Sequence, residues 1–204
     1  MTETRAKRKV ETLRLTRRQV ARREIDAAVT LLLTGGEPVA VNLLAWAAVD
    51  VLRGLCEARG VATFMSIFEE RIRPEFHAEW RRALRDHHNF LKHSKKDPDR
   101  TVEDFKPEAS TYAILVAVED YRKLYETMTY PMQVFRAWFM ARNPHVMTPM
   151  MAALFVDAGD VLGDIATMAL DRSFRSAGDV LRTYLDDPAG LEAKFRPLGV
   201  QLEW

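Results

Sequence analysis

Residues 107–128, PEASTYAILVAVEDYRKLYETM, decide the fold class. Pro107 stands where a first-turn proline belongs, because its missing N–H is one that a helix start leaves unbonded anyway. From Tyr112 to Val118 the segment is apolar nearly all round, and polar residues return only at Glu119 and Asp120. A helix apolar on every side has to be surrounded by other elements, so this one is expected at the centre of a bundle.

The same helical period extends upstream. Segment 16–34 opens at Thr16, a plausible N-cap, and carries Ala21, Ile25, Ala28, Val29 and Leu32 on one face before Gly35-Gly36. Pro38 then starts a helix whose stripe of Val41, Leu44, Ala48, Val51, Leu52 and Leu55 stops near Gly60. A short helix spans 61–72, ended by the restriction that Pro74 places on Arg73. Another runs from Pro74 to about Ser94. Residues 95–107, KKDPDRTVEDFKP, read as a loop, with turn chemistry at Asp97-Pro98-Asp99.

Downstream of the central helix, segments 131–142, 148–173 and a last one to about Leu185 are predicted as helices, with Asn143-Pro144 as a break. The tail 186–204 is irregular, and only Val200–Leu202 has a strand-like pattern. The expected architecture is all-α: an antiparallel helical bundle over 16–185 with additional C-terminal helices, a basic arm at 1–15, and the tail.

Composition narrows the function classes. The 204 residues are 48% hydrophobic and 29% charged, with a net charge of +1, so no overall polarity names a partner. Residues 1–23 nevertheless hold nine Lys or Arg against Glu3 and Glu11, which suits either nucleic acid or a solvated lead-in to the first helix. Apolar stretches such as Leu43–Leu52 are short or interrupted, and no secretory h-region follows the arm. Cys56 is the single cysteine, so internal disulfides and cysteine-based zinc sites are excluded. A cytoplasmic protein without membrane contact is expected. Gly35-Gly36 is no phosphate loop, since neither a preceding strand nor a following Gly-Lys-Ser/Thr is present.

Chemistry concentrates in residues 74–94, PEFHAEWRRALRDHHNFLKHS, which hold four of the five histidines. At about 100° per residue, Phe76, Trp80, Ala83, Leu84, His87 and Leu91 share an apolar face, which makes His87 the expected core histidine. His77, Arg81, Arg85, His88, Lys92 and Lys95 form a cationic stripe. Arg82, Asp86, Asn89 and His93 occupy the remaining side, with Arg82–Asp86 a surface pair. One reading leaves both polar faces solvated. The other has arginines clamp phosphate oxygens beside a histidine that moves a proton near neutral pH.

Two N-terminal helices, an Arg/His-bearing helix and a following apolar helix resemble the HEPN superfamily of helical bundles. Its ribonucleases carry an arginine followed by a histidine after four to six residues. Arg81 and His88 fit that window and share a face, whereas Arg82 and His87 fit it but point to opposite sides. Arg85 and His93 have seven residues between them and fall outside it. Asn89-Phe90-Leu91-Lys92-His93, followed by Asp97-Pro98-Asp99, also resembles an uncharacterised bacterial all-helical family with an NF-x-KH…DPD signature.

These resemblances imply two functions. The first is a HEPN-like interaction module, paired as a homodimer, that binds RNA or a protein partner. The second is a metal-independent endoribonuclease of toxin or defence type. In the second, Arg81, Arg85, His88, Asn89 and His93 would be the catalytic set, with Lys92 and Lys95 on phosphate. No cofactor is implied. A metal on His93, Asp97 and Asp99 is disfavoured because no Glu-x-x-His or His-Glu-x-x-His motif is present. The methionine- and aromatic-rich stretch 128–151 reads either as core or as a partner face.

Overall fold

The computed structural model describes residues 12–70, 72–93, 98–103, 105–144 and 164–187. Among them are α1 (Arg17–Leu33), α2 (Pro38–Arg59), α3 (Phe64–Glu69), a 3-10 turn (Pro74–Phe76), α4 (His77–Lys92), α5 (Pro107–Tyr125), α6 (Tyr130–Arg142) and α7 (Leu170–Asp186). The class is all-α, and no strand occurs among the described residues. Residues 1–11 of the basic arm, Lys95, Asp97, Met147, Met150, Met151, most of the 148–173 segment and residues 188–204 of the tail lie outside the described residues, while Asp186, expected in the tail, ends α7.

Local chemistry sets the helix ends. Thr16 and Gln19 form a capping box: Gln19 N–H donates to Thr16 Oγ1 at 3.2 Å, and Thr16 N–H donates to Gln19 Oε1 at 2.9 Å. At the start of α2, Glu37 accepts from Ala40 N–H at 3.1 Å beside Pro38. That helix ends at Gly60, whose φ of 65° suits a residue without Cβ. There Val61 N–H reaches back to the Cys56 carbonyl at 2.9 Å. Glu126, also left-handed at φ 56°, stops α5 at Tyr125, and Thr129 caps α6.

The core is built from α1, α2 and α5, with α6 and α7 packed against α1. Ala21, Ile25, Ala28, Val29, Leu32 and Leu33 bury the inner face of α1. Helix α2 lies between α1 and α5 and buries Val41, Ala45, Trp46, Ala48, Val49, Leu52 and Cys56. By length and composition it is apolar enough to cross a bilayer, but its buried faces are already taken by neighbouring helices. In α5, Ala113, Ile114, Leu115, Ala117, Val118 and Tyr121 are buried, as expected of a central helix. A buried link from Asn42 Nδ2 to Ser110 Oγ at 3.3 Å joins α2 to α5. Glu119, 4% exposed, ties α5 to α6 by accepting from Arg136 at 2.6 Å while also pairing with Arg122 at 2.9 Å.

The described part of the methionine-rich stretch is core. Met128, Tyr130, Met132, Phe135, Trp138 and Phe139 are all buried. Trp138 donates to Ser173 Oγ at 3.1 Å and packs on Phe174 at 4.9 Å, which seats α7 on α6. Helix α7 begins at Leu170, so the predicted boundary near Ser173 is corrected. Residues 164–169 form a turn whose carbonyls at Ile165, Ala166 and Met168 accept from Arg142, and the helix starts only after it.

Candidate site where α4 meets α2

Helix α4 docks mainly through its charged stripe, and of its apolar stripe Leu84 packs against the core beside it. Asp50 and Trp46, one turn apart on α2, are the reason. Arg85 lies over the Trp46 ring at 5.0 Å and reaches Asp50 Oδ1 at 3.3 Å. Lys92 reaches Asp50 Oδ2 at 3.3 Å, and Arg53 approaches Oδ1 at 3.2 Å. Burial works to raise the Asp50 pKa. The Lys92 hydrogen bond and the charges of Arg85, Arg53 and Lys92 outweigh it, so the carboxyl is held below its ordinary value.

This docking reverses the expected roles of two histidines. His88 is the buried one, 2% exposed, with its ring 5.5 Å from Trp46. Its Nε2 stands 3.9 Å from Asp50 Oδ2, too far for a hydrogen bond, and Nδ1 is buried without a partner among the described residues. Burial first, then the charge of Lys92, pushes its pKa down to about 4 against the pull of Asp50, so the ring is neutral at pH 7. His87, expected in the core, is half-buried instead and packs on Phe105 at 5.1 Å. A turn of about 100° about the helix axis separates the two arrangements. The Asp50–Trp46 pair provides the physical cause.

The remaining stripe divides. Arg81 bonds Glu69 at 2.8 Å, and His77 Nδ1 approaches the same oxygen at 3.1 Å. Thus Arg85, His88 and Lys92 meet on Asp50, whereas Arg81 belongs to a second centre on Glu69. Asn89 and His93 are exposed, with His93 at the C-cap of α4. Asp86 pairs with Arg100 at 2.6 Å rather than with Arg82, drawing the 98–103 segment onto α4.

Between the two centres lies a cleft of about 240 Å³ bounded by α2, α3, α4 and α5. Arg53 of α2, Arg81 and Arg85 of α4, Glu69 of α3 and Asp120 of α5 are its charged lining residues. Asp120 is 1% exposed and accepts from Phe64 N–H at 2.5 Å. Burial pushes its pKa up to about 6, against the pull of that hydrogen bond and of Lys123. Sequence reasoning missed Trp46, Asp50, Arg53, Glu69 and Asp120. A usable signal was present for Asp50: a lone acid within an otherwise apolar helical run, in a chain that also carries an unmatched cationic stripe.

No group of three or more His, Cys, Asp or Glu is placed to hold a metal among the described residues. What the arrangement offers is a cationic surface with a neutral histidine sealed beneath it. Comparison with known protein families, curated proteins and solved structures finds no match.

Proposed function

We propose that this chain is a HEPN-like helical interaction module that binds RNA through the cationic surface where α4 meets α2, without cleaving it. The observation that carries the reading is the stoichiometry at Asp50. Asp50 faces Arg53, Arg85 and Lys92, and Glu57 stands 4.0 Å from Arg53, so three cations meet two carboxylates and one positive charge is left in excess. Arg53 and Lys92 keep 46% of their side-chain surface exposed, so their heads remain available to phosphate.

The endoribonuclease alternative requires an accessible histidine. His88 is sealed and neutral, so acid–base work would fall to exposed His93, with Asn89 one turn before it. Homodimer formation and a cytoplasmic setting belong to the same proposal, and light scattering at several concentrations tests the first.

The direct experiment incubates a panel of structured and single-stranded RNAs with wild type, Arg53→Gln/Lys92→Gln and His93→Ala in EDTA. Binding without cleavage, weakened in the double variant and kept in His93→Ala, is the expected outcome. Cleavage by wild type that disappears in His93→Ala would overturn the reading in favour of the enzyme.

A further inference from the structure

We propose that the cleft between α2, α3, α4 and α5 is a binding site for a compact organic anion, a carboxylate or phosphate ester on a small apolar body. The inference goes beyond RNA binding: the cleft shares Arg53 and Arg85 with the RNA surface, but Lys92 is not among its lining residues and Arg81 is added to them.

Its lining has two kinds of wall. Arg53, Arg81 and Arg85 present guanidinium groups that outnumber the lining carboxyls of Glu69 and Asp120, while Val49, Met65 and Val116 supply apolar surface. Each of these arginines pairs with a nearby carboxylate: Arg53 and Arg85 through Nη2 to Asp50, with Arg53 Nε also 4.0 Å from Glu57, and Arg81 through Nη2 to Glu69. A guanidinium carries five N–H donors in a planar fork, so such a pair leaves donors for a second anion. Arg81, with 57% of its side chain exposed, has the most freedom to turn toward one.

Asp120 makes anion binding in this cleft dependent on pH. It is buried at the cleft wall, and its Oδ1 is occupied by Phe64 N–H. Burial raises its pKa to about 6, so it is charged at pH 7 and becomes a neutral O–H donor that no longer repels an anion only below that value. The charge of Glu119 also raises it and that of Lys123 lowers it, while Lys123 Nζ donates to the Ala62 carbonyl at 3.3 Å. The cleft has a volume of about 240 Å³. A single-ring acid fits that size.

The test titrates the full chain with benzoate, phenyl phosphate, inorganic phosphate and neutral benzamide, read by calorimetry and by amide chemical shifts. Benzoate or phenyl phosphate should bind, and whichever is tighter identifies the head group. Inorganic phosphate and benzamide should each bind about tenfold more weakly or not at all, since each lacks one half of the recognition. Arg81→Gln should weaken the preferred anion about tenfold. Met65→Trp should block it by filling the cleft without changing a charge. Lys92→Gln should leave it unchanged, which separates this site from the RNA surface. Binding of neither anion to folded wild type, equal binding by Arg81→Gln, or equal binding of benzamide would overturn the assignment.

Discussion

Replacing Asp50 by asparagine removes the charge on which α4 is docked while preserving side-chain size. In the native protein that carboxylate takes Arg53, Arg85 and Lys92 at 3.2–3.3 Å and is 28% exposed at its side chain. Partly exposed ion pairs contribute roughly 0.2–1 kcal/mol each, and three sharing one acceptor are not additive, so the expected loss is about 2 kcal/mol. For a domain of this size that is a fall of about 4–8 °C in Tm. The sign with pH follows from the lowered Asp50 pKa. Its contribution is present above the ordinary carboxylate value of 3.8 and is lost as pH falls through the folded value. Wild type and Asp50→Asn should therefore differ by a constant amount at pH 5–7 and converge below about pH 4. Thermal and urea unfolding measure the difference. The same variant should bind RNA more tightly, because Arg85 and Lys92 lose their shared counter-charge and Arg53 keeps only Glu57 at 4.0 Å. Unchanged Tm at pH 7 would refute the docking argument, and weaker RNA binding by the folded variant would refute the surface assignment.

Further outcomes concern groups inside the fold. His88, with its pKa lowered to about 4 from 6.5, makes stability rise with pH across that interval, because the unfolded chain binds the proton first. Asp120, raised to about 6 from 3.8, does the reverse: its contribution is complete at low pH and lost as pH rises through about 6. Wild-type stability should consequently be nearly flat from pH 4 to 6. His88→Phe should expose a downward slope with rising pH and Asp120→Asn an upward one, each of up to about 3 kcal/mol. Two parallel, flat urea-midpoint profiles would contradict both assignments. Gly178→Ala should cost about 2 kcal/mol or more by overpacking, since its Cβ would stand 2.4 Å from the Leu33 carbonyl oxygen and push α7 off α1. A Tm equal to wild type would show that the two helices do not need this close approach.

Helix positions were largely legible because their signals are local. Thr16, Pro38, Gly60 and Pro107 each act on the backbone within a turn of themselves, and all four mark element ends in the structure. The apolar face of α1 and the burial of α5 follow from periodicity alone. Burial of Met132, Phe135 and Trp138 likewise settles the described part of the 128–151 stretch as core.

The rotational setting of α4 was not local. Its apolar side invites burial of Trp80, Leu84 and His87, yet Asp50 and Trp46 on another helix offer ion pairs and a ring face to the cationic side. The docking contacts lie 35 or more positions away in sequence, so the period within α4 could not weigh them. For the same reason Arg81, Arg85, His88 and Lys92 were found as a stripe, but their division between Glu69 and Asp50 was not. The cleft wall at Asp120 depends on α3 folding back over α5, which no motif in either segment announces.

The most direct measurement of the central proposal is the salt dependence of RNA binding by wild type and Arg53→Gln/Lys92→Gln. Single-stranded RNA contacting three cations should give a slope of log K against log salt near −2, at about 0.7 per phosphate. The double variant should weaken binding and reduce the slope by about 1.4. A wild type that binds no RNA at about 50 mM salt while fully folded, or a double variant with an unchanged slope, would contradict the assignment of the α2–α4 surface to RNA.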